Sequence, residues 1–163
     1  MEIWDAYKKN GDKAGCDLYR DKPIPDGLYH IVSEVLVKHT DGSYLLMQRD
    51  WNKAGYPGLF EAGASGSVLK GETAYQGAKR ELKEETGIYS DDLSLIFAQS
   101  NRQNTFYFGF FCTTDCLKDS IVLQKGETIS YRWLSNIEFL DFINKDEFIP
   151  MQRDRWFPFL EKI

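Results

Sequence analysis

The chain of 163 residues fits one domain and is long enough to bury a hydrophobic core. With 42% hydrophobic and 28% charged residues it has the composition of a folded protein, not a disordered one. A formal net charge of −5 argues against a broad basic footprint for a nucleic acid polymer, yet admits a nucleotide bound through a cation, which reverses the sign of an acidic pocket.

Residues 1–27 mix aromatics with "KKNGDKAG" and "KPIPDG" and read as a short arm with turns, packed on the domain by Trp4 and Tyr7. A strand starts near Tyr29 and runs through "HIVSEVLVK". The Asp-Gly of "TDGS" turns the chain into a partner strand, "YLLMQR". The stretch "DWNKAGYPGLFEAGASGSVLKGE" is then a long shaped loop with short strands inside it, and a loop of that length suggests functional work.

A helix follows. Thr73 and Gln76 have capping-box spacing, Gly87 stands where a left-handed C-cap belongs, and Ala74, Ala78 and Leu82 form the buried stripe. "LSLIFAQS", the aromatic-rich "TFYFGFFCT" and "ETISYRWLS" read as strands. Ser135 and Glu138 cap a second helix over "NIEFLDFI". The tail ends in a short helix interrupted or restarted at Pro158. Strands around one strong central helix predict an α/β layered domain spanning residues 1–163.

"RELKEETG", Arg80 to Gly87, concentrates the chemistry. Residues three and four apart share a helix face, so Glu81, Glu84 and Glu85 point to one side. Like charges at that spacing cost a few tenths of a kcal/mol unless something compensates. A glycine-rich loop able to bring N–H groups to an anion precedes them. Carboxylate-lined, oxygen-rich sites suit Mg²⁺ alongside substrate phosphates. The bland alternative is a solvated helix face eased by Lys79, Arg80 and Lys83.

From Gly66 to Ile88 the chain reads "GSVLKGETAYQGAKRELKEETGI", which resembles the signature of the Nudix hydrolases. Its fixed places are filled by Gly66, Glu72, Arg80, Glu81, Glu84, Glu85 and Gly87, with Leu82 and Ile88 apolar. At about 5 to 8% usage per residue type, seven such matches at one start arise by chance roughly once in 10⁸.

The resemblance implies an α/β/α sandwich with a mixed sheet, its central helix carrying the glutamates. It implies Mg²⁺, or Mn²⁺, held by Glu81, Glu84 and Glu85, with Arg80 fixing a member of that cluster. Glu72 would support the loop–helix geometry, and Gly66 would let the chain pass close to metal or phosphate. Arg49 would reach a substrate phosphate or form a surface ion pair. The reaction implied is water attack on a small-molecule diphosphate. Its general base would be Glu84, Glu85 or, from outside the helix, Glu127, which otherwise reads as an exposed acid before a strand.

Weaker matches ("WDAY", "PIPDGLYH", "YPGLFEA", "ISYRWLS") resemble the bacterial branch related to isopentenyl-diphosphate isomerase. Ser67 stands where relatives in that branch carry histidine, and Gly77 where they favour alanine. The chain has no Cys-Cys and only two histidines, so isomerase chemistry is disfavoured. A non-catalytic nucleotide-binding module is the third reading, opposed by the intact glutamate set.

His30, inside an apolar strand, reads as packed and hydrogen-bonded, and His39, near a turn, as surface. Trp4 and Trp156 read as pinning the termini or lining a homodimer seam. Cys16, Cys112 and Cys116 read as reduced thiols of a cytoplasmic protein, without the ligand spacing of a zinc site. The opening residues do not read as a signal peptide, and no run approaches the ~18 apolar residues of a membrane span.

Overall fold

The computed structural model describes residues 1–101 and 103–163. The N-terminus differs from the sequence reading: the expected arm is a β-hairpin of β1 (Ile3–Lys8) and β2 (Lys13–Tyr19). Its turn is built around Asn10 and Gly11, the glycine at φ 88°, a conformation that favours this residue. Trp4 pairs across the hairpin with Leu18, and with Ala6 they form a small buried cluster that also touches Leu28 and Leu69. Lysines and aspartates between these apolar positions mask the two-residue period in the sequence.

β3 (Leu28–His39) organises the sheet. Its first residues take the hairpin, through Tyr7–Tyr29 and Lys8–Leu28. Its centre, the continuous apolar run Val35–Val37, is buried on both faces, as an interior strand requires. Lys38 meets Tyr44, the first residue of β4 (Tyr44–Arg49), across the "TDGS" turn. The glycine-rich stretch contains β5 (Phe60–Ala62), paired with β4, and β6 (Ala64–Ser67), antiparallel to β3 at Val32–Val35. After helix α1 (Ala74–Thr86), β7 (Ser94–Ser100) leads into β8 (Thr105–Thr114), which runs parallel to β3 from His30–Thr105 to His39–Thr114. β9 (Thr128–Leu134) closes on β4. Helices α2 (Asn136–Phe142) and α3 (Pro150–Trp156) and a 3₁₀ segment (Phe157–Lys162) end the chain. Proline occupies the first helical position of α3, where its missing N–H costs nothing.

Strand alternation sorts the side chains into two cores. Val35 and Val37 of β3 and Leu45 and Met47 of β4 pack against Ala78 and Leu82 of α1. Leu36, Tyr44 and Leu46, from the same strands, pack the other way against Phe139 and Phe142 of α2 and Trp156 of α3. The result is the expected α/β/α sandwich around a mixed sheet.

Trp4 and Trp156 are both buried within their own chain and pin its ends. His30 stacks on Trp4 and shares a hydrogen bond with Thr105 Oγ1 at 3.1 Å, the packed role expected of it. His39 is not a surface residue: its ring lies edge-on to Trp133, with Nε2 3.0 Å from the Cys116 carbonyl oxygen. Its strand runs beside the end of β8, which brings Cys116 to its ring, a long-range placement that the neighbouring turn residues conceal.

Candidate active site

The loop from β5 to α1 aims the glutamates. At Gly63 (φ 66°) the chain passes so close to β3 that a Cβ would sit 1.8 Å from the Val35 carbonyl oxygen. Helix α1 then starts on a complete capping box between Thr73 and Gln76. It stops at Gly87 (φ 76°), whose N–H returns to the Lys83 carbonyl. Gly77, mid-helix, is explained by packing: a Cβ there would meet Val68 Cγ2 at 2.9 Å, so the loop before the helix could not lie this close.

With its ends fixed, α1 presents the three glutamates at different depths. Glu85 follows Leu82 by three residues and is buried with it, whereas the Glu84 side chain remains 44% exposed. Glu81 lies between them, its side chain 13% exposed. A Cβ on Gly66 would fall 2.1 Å from Glu81 Cδ, so glycine leaves the space that the Glu81 carboxylate fills. Gly66 admits a protein carboxylate here, a closer neighbour than the metal or phosphate expected of it.

Arg80 braces this arrangement. Its Nε and Nη2 donate to the two Glu72 oxygens at 2.9 and 3.0 Å, and Nη2 also donates to the Ser67 carbonyl at 3.0 Å. Nη1 donates to Glu81 Oε1 at 2.6 Å and to Glu84 Oε2 at 3.3 Å. Glu72 accepts the Leu69 N–H as well, which ties the loop to the helix. Glu85 is held separately, accepting the Ser65 N–H at 3.0 Å.

These contacts draw Glu81 and Glu84 onto Arg80 and hold Glu85 on Ser65, and among the described residues no three His, Cys, Asp or Glu side chains form a preformed cation cage. They nevertheless line one cavity of about 270 Å³, together with Arg49, Lys53 and Glu127. Burial, with the charges of Glu84 and Glu2, pushes the Glu81 carboxyl up to about 7 despite Arg80 beside it. Burial, then the charges of Glu61 and Glu81, raises the Glu85 carboxyl well above the usual range, against the Ser65 N–H. Hard oxygen donors whose ionisation is costly without a counter-charge suit a divalent cation. Glu84, half out of the protein, is free to turn toward one.

Arg49 occupies an intermediate position between its two sequence readings. It lines the cavity, yet its Nη1 is paired with the buried Glu61 Oε1 at 2.8 Å, and its Nε donates to the Gly55 carbonyl. Glu127 also reaches the cavity, paired with Lys53.

A family model described as the NUDIX domain matches residues 28–157, starting at the first residue of β3. The chain belongs to the NUDIX domain family. It is 33% identical over 154 residues to an uncharacterized Nudix hydrolase of Listeria monocytogenes, covering 92% of this chain and 89% of that one. It is 26% identical to Nudix hydrolase 3 of Arabidopsis thaliana, over 90% of this chain and 21% of the plant protein. A Deinococcus radiodurans crystal structure has the same fold, with TM-score 0.76 at 19% identity and coverage of 93% and 96%. So does a bifunctional NMN adenylyltransferase/ADP ribose pyrophosphatase of Francisella tularensis, with TM-score 0.64 at 19% identity, covering 82% of this chain and 42% of that one. Nudix hydrolases are pyrophosphohydrolases acting on phosphorus-containing anhydrides, generally with divalent metal ions, and that is the enzyme class of this chain.

Three features of this Nudix cavity are not evident in the signature. Glu61, 2% exposed, takes Arg49 on one oxygen and the Ser65 hydroxyl, at 2.5 Å, on the other, so it connects Arg49 to β6, whose Ser65 N–H holds Glu85. Lys53 supplies a second cation. The N-terminal hairpin, outside the matched span, contributes Glu2, Trp4 and Arg20 to the cavity wall. Only Glu61 left a trace in the sequence, as a lone acid inside the apolar run "LFEAGA".

Proposed function

We propose that this Nudix hydrolase splits the diphosphate linkage of a nucleoside diphosphate derivative, or a similar organic diphosphate, by water attack. Mg²⁺ or Mn²⁺ would be held by Glu81, Glu84 and Glu85. The observation that carries this reading is that the three glutamates line one cavity with Arg49 and Lys53, braced by Arg80, whose contacts are all to protein. When bound, the cation supplies charge neutralisation across the phosphoryl oxygens and an acidified water.

The protein's own groups account for the rest. Arg80 fixes the Glu81 rotamer, Glu72 locks Arg80, and Gly66 leaves the space. Arg49 and Lys53, each already paired with a carboxylate, are the further cationic side chains on the cavity wall that the diphosphate would meet. Glu127, Glu84 and Glu85 are the carboxylates able to take the water's proton, and Lys53 keeps Glu127 directed at the cavity.

Residues 1–163 act as one domain in this reading, on a small-molecule diphosphate in the cytoplasm, with no nucleic acid polymer and no membrane as partner. Among the described residues no helix is long and apolar enough to cross a membrane. The isomerase alternative would need a cysteine, and among the described residues the cavity is lined by neither cysteine nor histidine.

The test is a phosphate and pyrophosphate release screen with Mg²⁺ over nucleoside triphosphates, nucleotide sugars, dinucleoside polyphosphates and coenzymes. Glu84→Gln is expected to lower kcat at least 10²-fold, about 2.7 kcal/mol, with a smaller change in KM. If the wild type turned over no diphosphate, a binding module would replace the enzyme.

A further inference from the structure

Beside the glutamate cavity lies a second one of about 260 Å³, and the two share Val32, Arg49 and Ser65 on their walls. Each falls just below the ~300 Å³ at which small-molecule sites begin, so their junction at Arg49 suits one ligand with two parts. The signature accounts for the first cavity and for nothing in the second.

The second cavity is built around a buried ion pair unused by hydrolysis. Glu34 of β3 and Arg155 of α3 have side chains only 3% and 12% exposed. Arg155 donates from Nε to Glu34 Oε2 at 3.1 Å and from Nη2 to Glu34 Oε1, a two-pronged grip that fixes the plane of the guanidinium. Its Cζ lies 3.8 Å from the centre of the Tyr107 ring. Arg155 Nη1 has no hydrogen bond among the described residues, and Arg155 and Tyr107 both line the cavity. Tyr56, also on the wall, is held at φ 52°, a left-handed backbone that is costly for a bulky residue and persists where its surroundings impose it.

We infer that this second cavity receives the group attached to the diphosphate, and that Arg155 is its specificity-determining residue, selecting a flat, uncharged, hydrogen-bonding ring. The inference rests on the hydrolase reading for its diphosphate and on the second cavity alone for its ring. Glu34 and Glu61 are matched by Arg155 and Arg49, so the walls offer no net charge and an ionised group would enter without a partner. A saturated hydrocarbon would cover polar atoms and return no hydrogen bond. A flat ring with acceptor atoms at its edge returns that hydrogen bond, lying in the plane of a guanidinium already ordered by Glu34 and accepting from its remaining N–H groups, while Tyr107 covers one guanidinium face.

The experiment is calorimetry on the metal-free full chain with adenosine and cytidine monophosphates against ribose 5-phosphate, which lacks the ring. Wild type is expected to prefer the nucleotides by about 10-fold, the range of one hydrogen bond to a charged group. Arg155→Lys keeps the charge but loses the plane and the grip, and is expected to abolish the preference. Because a lone substitution can leave Glu34 buried and unpaired, the double variant Glu34→Met, Arg155→Met, which replaces both charges with apolar groups, serves as the second arm. Three results would overturn the inference: no preference or no nucleotide binding in wild type, a preference kept by both variants, or an equal loss for all three ligands, which marks Arg155 as structural. The hydrolase reading is judged separately by Mg²⁺-dependent turnover, so either can fail alone.

Discussion

Replacing Gly66 by alanine should separate stability from catalysis. The new Cβ would lie 2.1 Å from Glu81 Cδ and 2.2 and 2.5 Å from its oxygens, where ordinary contact between carbon atoms needs about 3.5–4.0 Å. Gly66 does not have positive φ, so its backbone accepts alanine and the Glu81 carboxylate, the end of a flexible chain, is what moves. It must shift by more than ~1 Å, which breaks the 2.6 Å bond from Arg80, a charge-assisted contact worth about 1.5–3 kcal/mol. Arg80 keeps Glu72 and the Ser67 carbonyl, and losing a glycine stiffens the unfolded chain by about 0.4–1 kcal/mol. The expected net loss of stability is therefore about 1–2 kcal/mol. If Glu81 is the metal ligand proposed above, misplacing it by that distance should cost about 10²-fold in kcat/KM. Urea unfolding and Mg²⁺-dependent diphosphate hydrolysis on the same preparation measure both. An unchanged kcat/KM would refute the placement of Glu81 at the reacting centre, and a stability loss above ~4 kcal/mol would show that the backbone, not the carboxylate, bears the clash.

Glu81 also predicts a pH dependence. Its folded carboxyl is raised from 4.5 to about 7, so the metal-free fold holds the extra proton and Glu81's contribution is fully present below about pH 4.5. That contribution is lost as pH rises through about 7, by on the order of 3 kcal/mol relative to Glu81→Gln, and Mg²⁺ should restore it; parallel stability curves for the two proteins would refute this. Gly87→Ala should cost about 1–2 kcal/mol in a denaturant melt, because the C-cap is left-handed and the Cβ would also approach Val122 at 3.1 Å. Gly77→Ala should fail to give the ~1 kcal/mol that alanine brings to an open helix, since Val68 stands 2.9 Å from the new Cβ; the same melt decides it. Arg155→Met alone should destabilise by about 3–5 kcal/mol in urea, leaving Glu34 buried without its partner.

Much of the helix was legible because helical geometry is local. The shared side of Glu81, Glu84 and Glu85, the capping boxes at Thr73 and Ser135 and the stop at Gly87 follow from residues three and four apart, and the structure has each of them. The apolar stretch around Val35, Leu36 and Val37 was likewise legible as a strand, and the structure buries all three. The hairpin of residues 3–19 was missed because its faces alternate weakly between aromatic and charged residues, and docking on Leu28 and Tyr29 completes it. The spacing put the glutamates on one side of the helix but could not give their rotamers, which Arg80 and the Ser65 N–H decide. Glu61 beside Arg49, Arg155 against Glu34 and Arg20 on the cavity wall lie on elements far apart in the chain. Sheet register and the packing of α3 bring them together, and no period in the sequence encodes contacts made by tertiary packing.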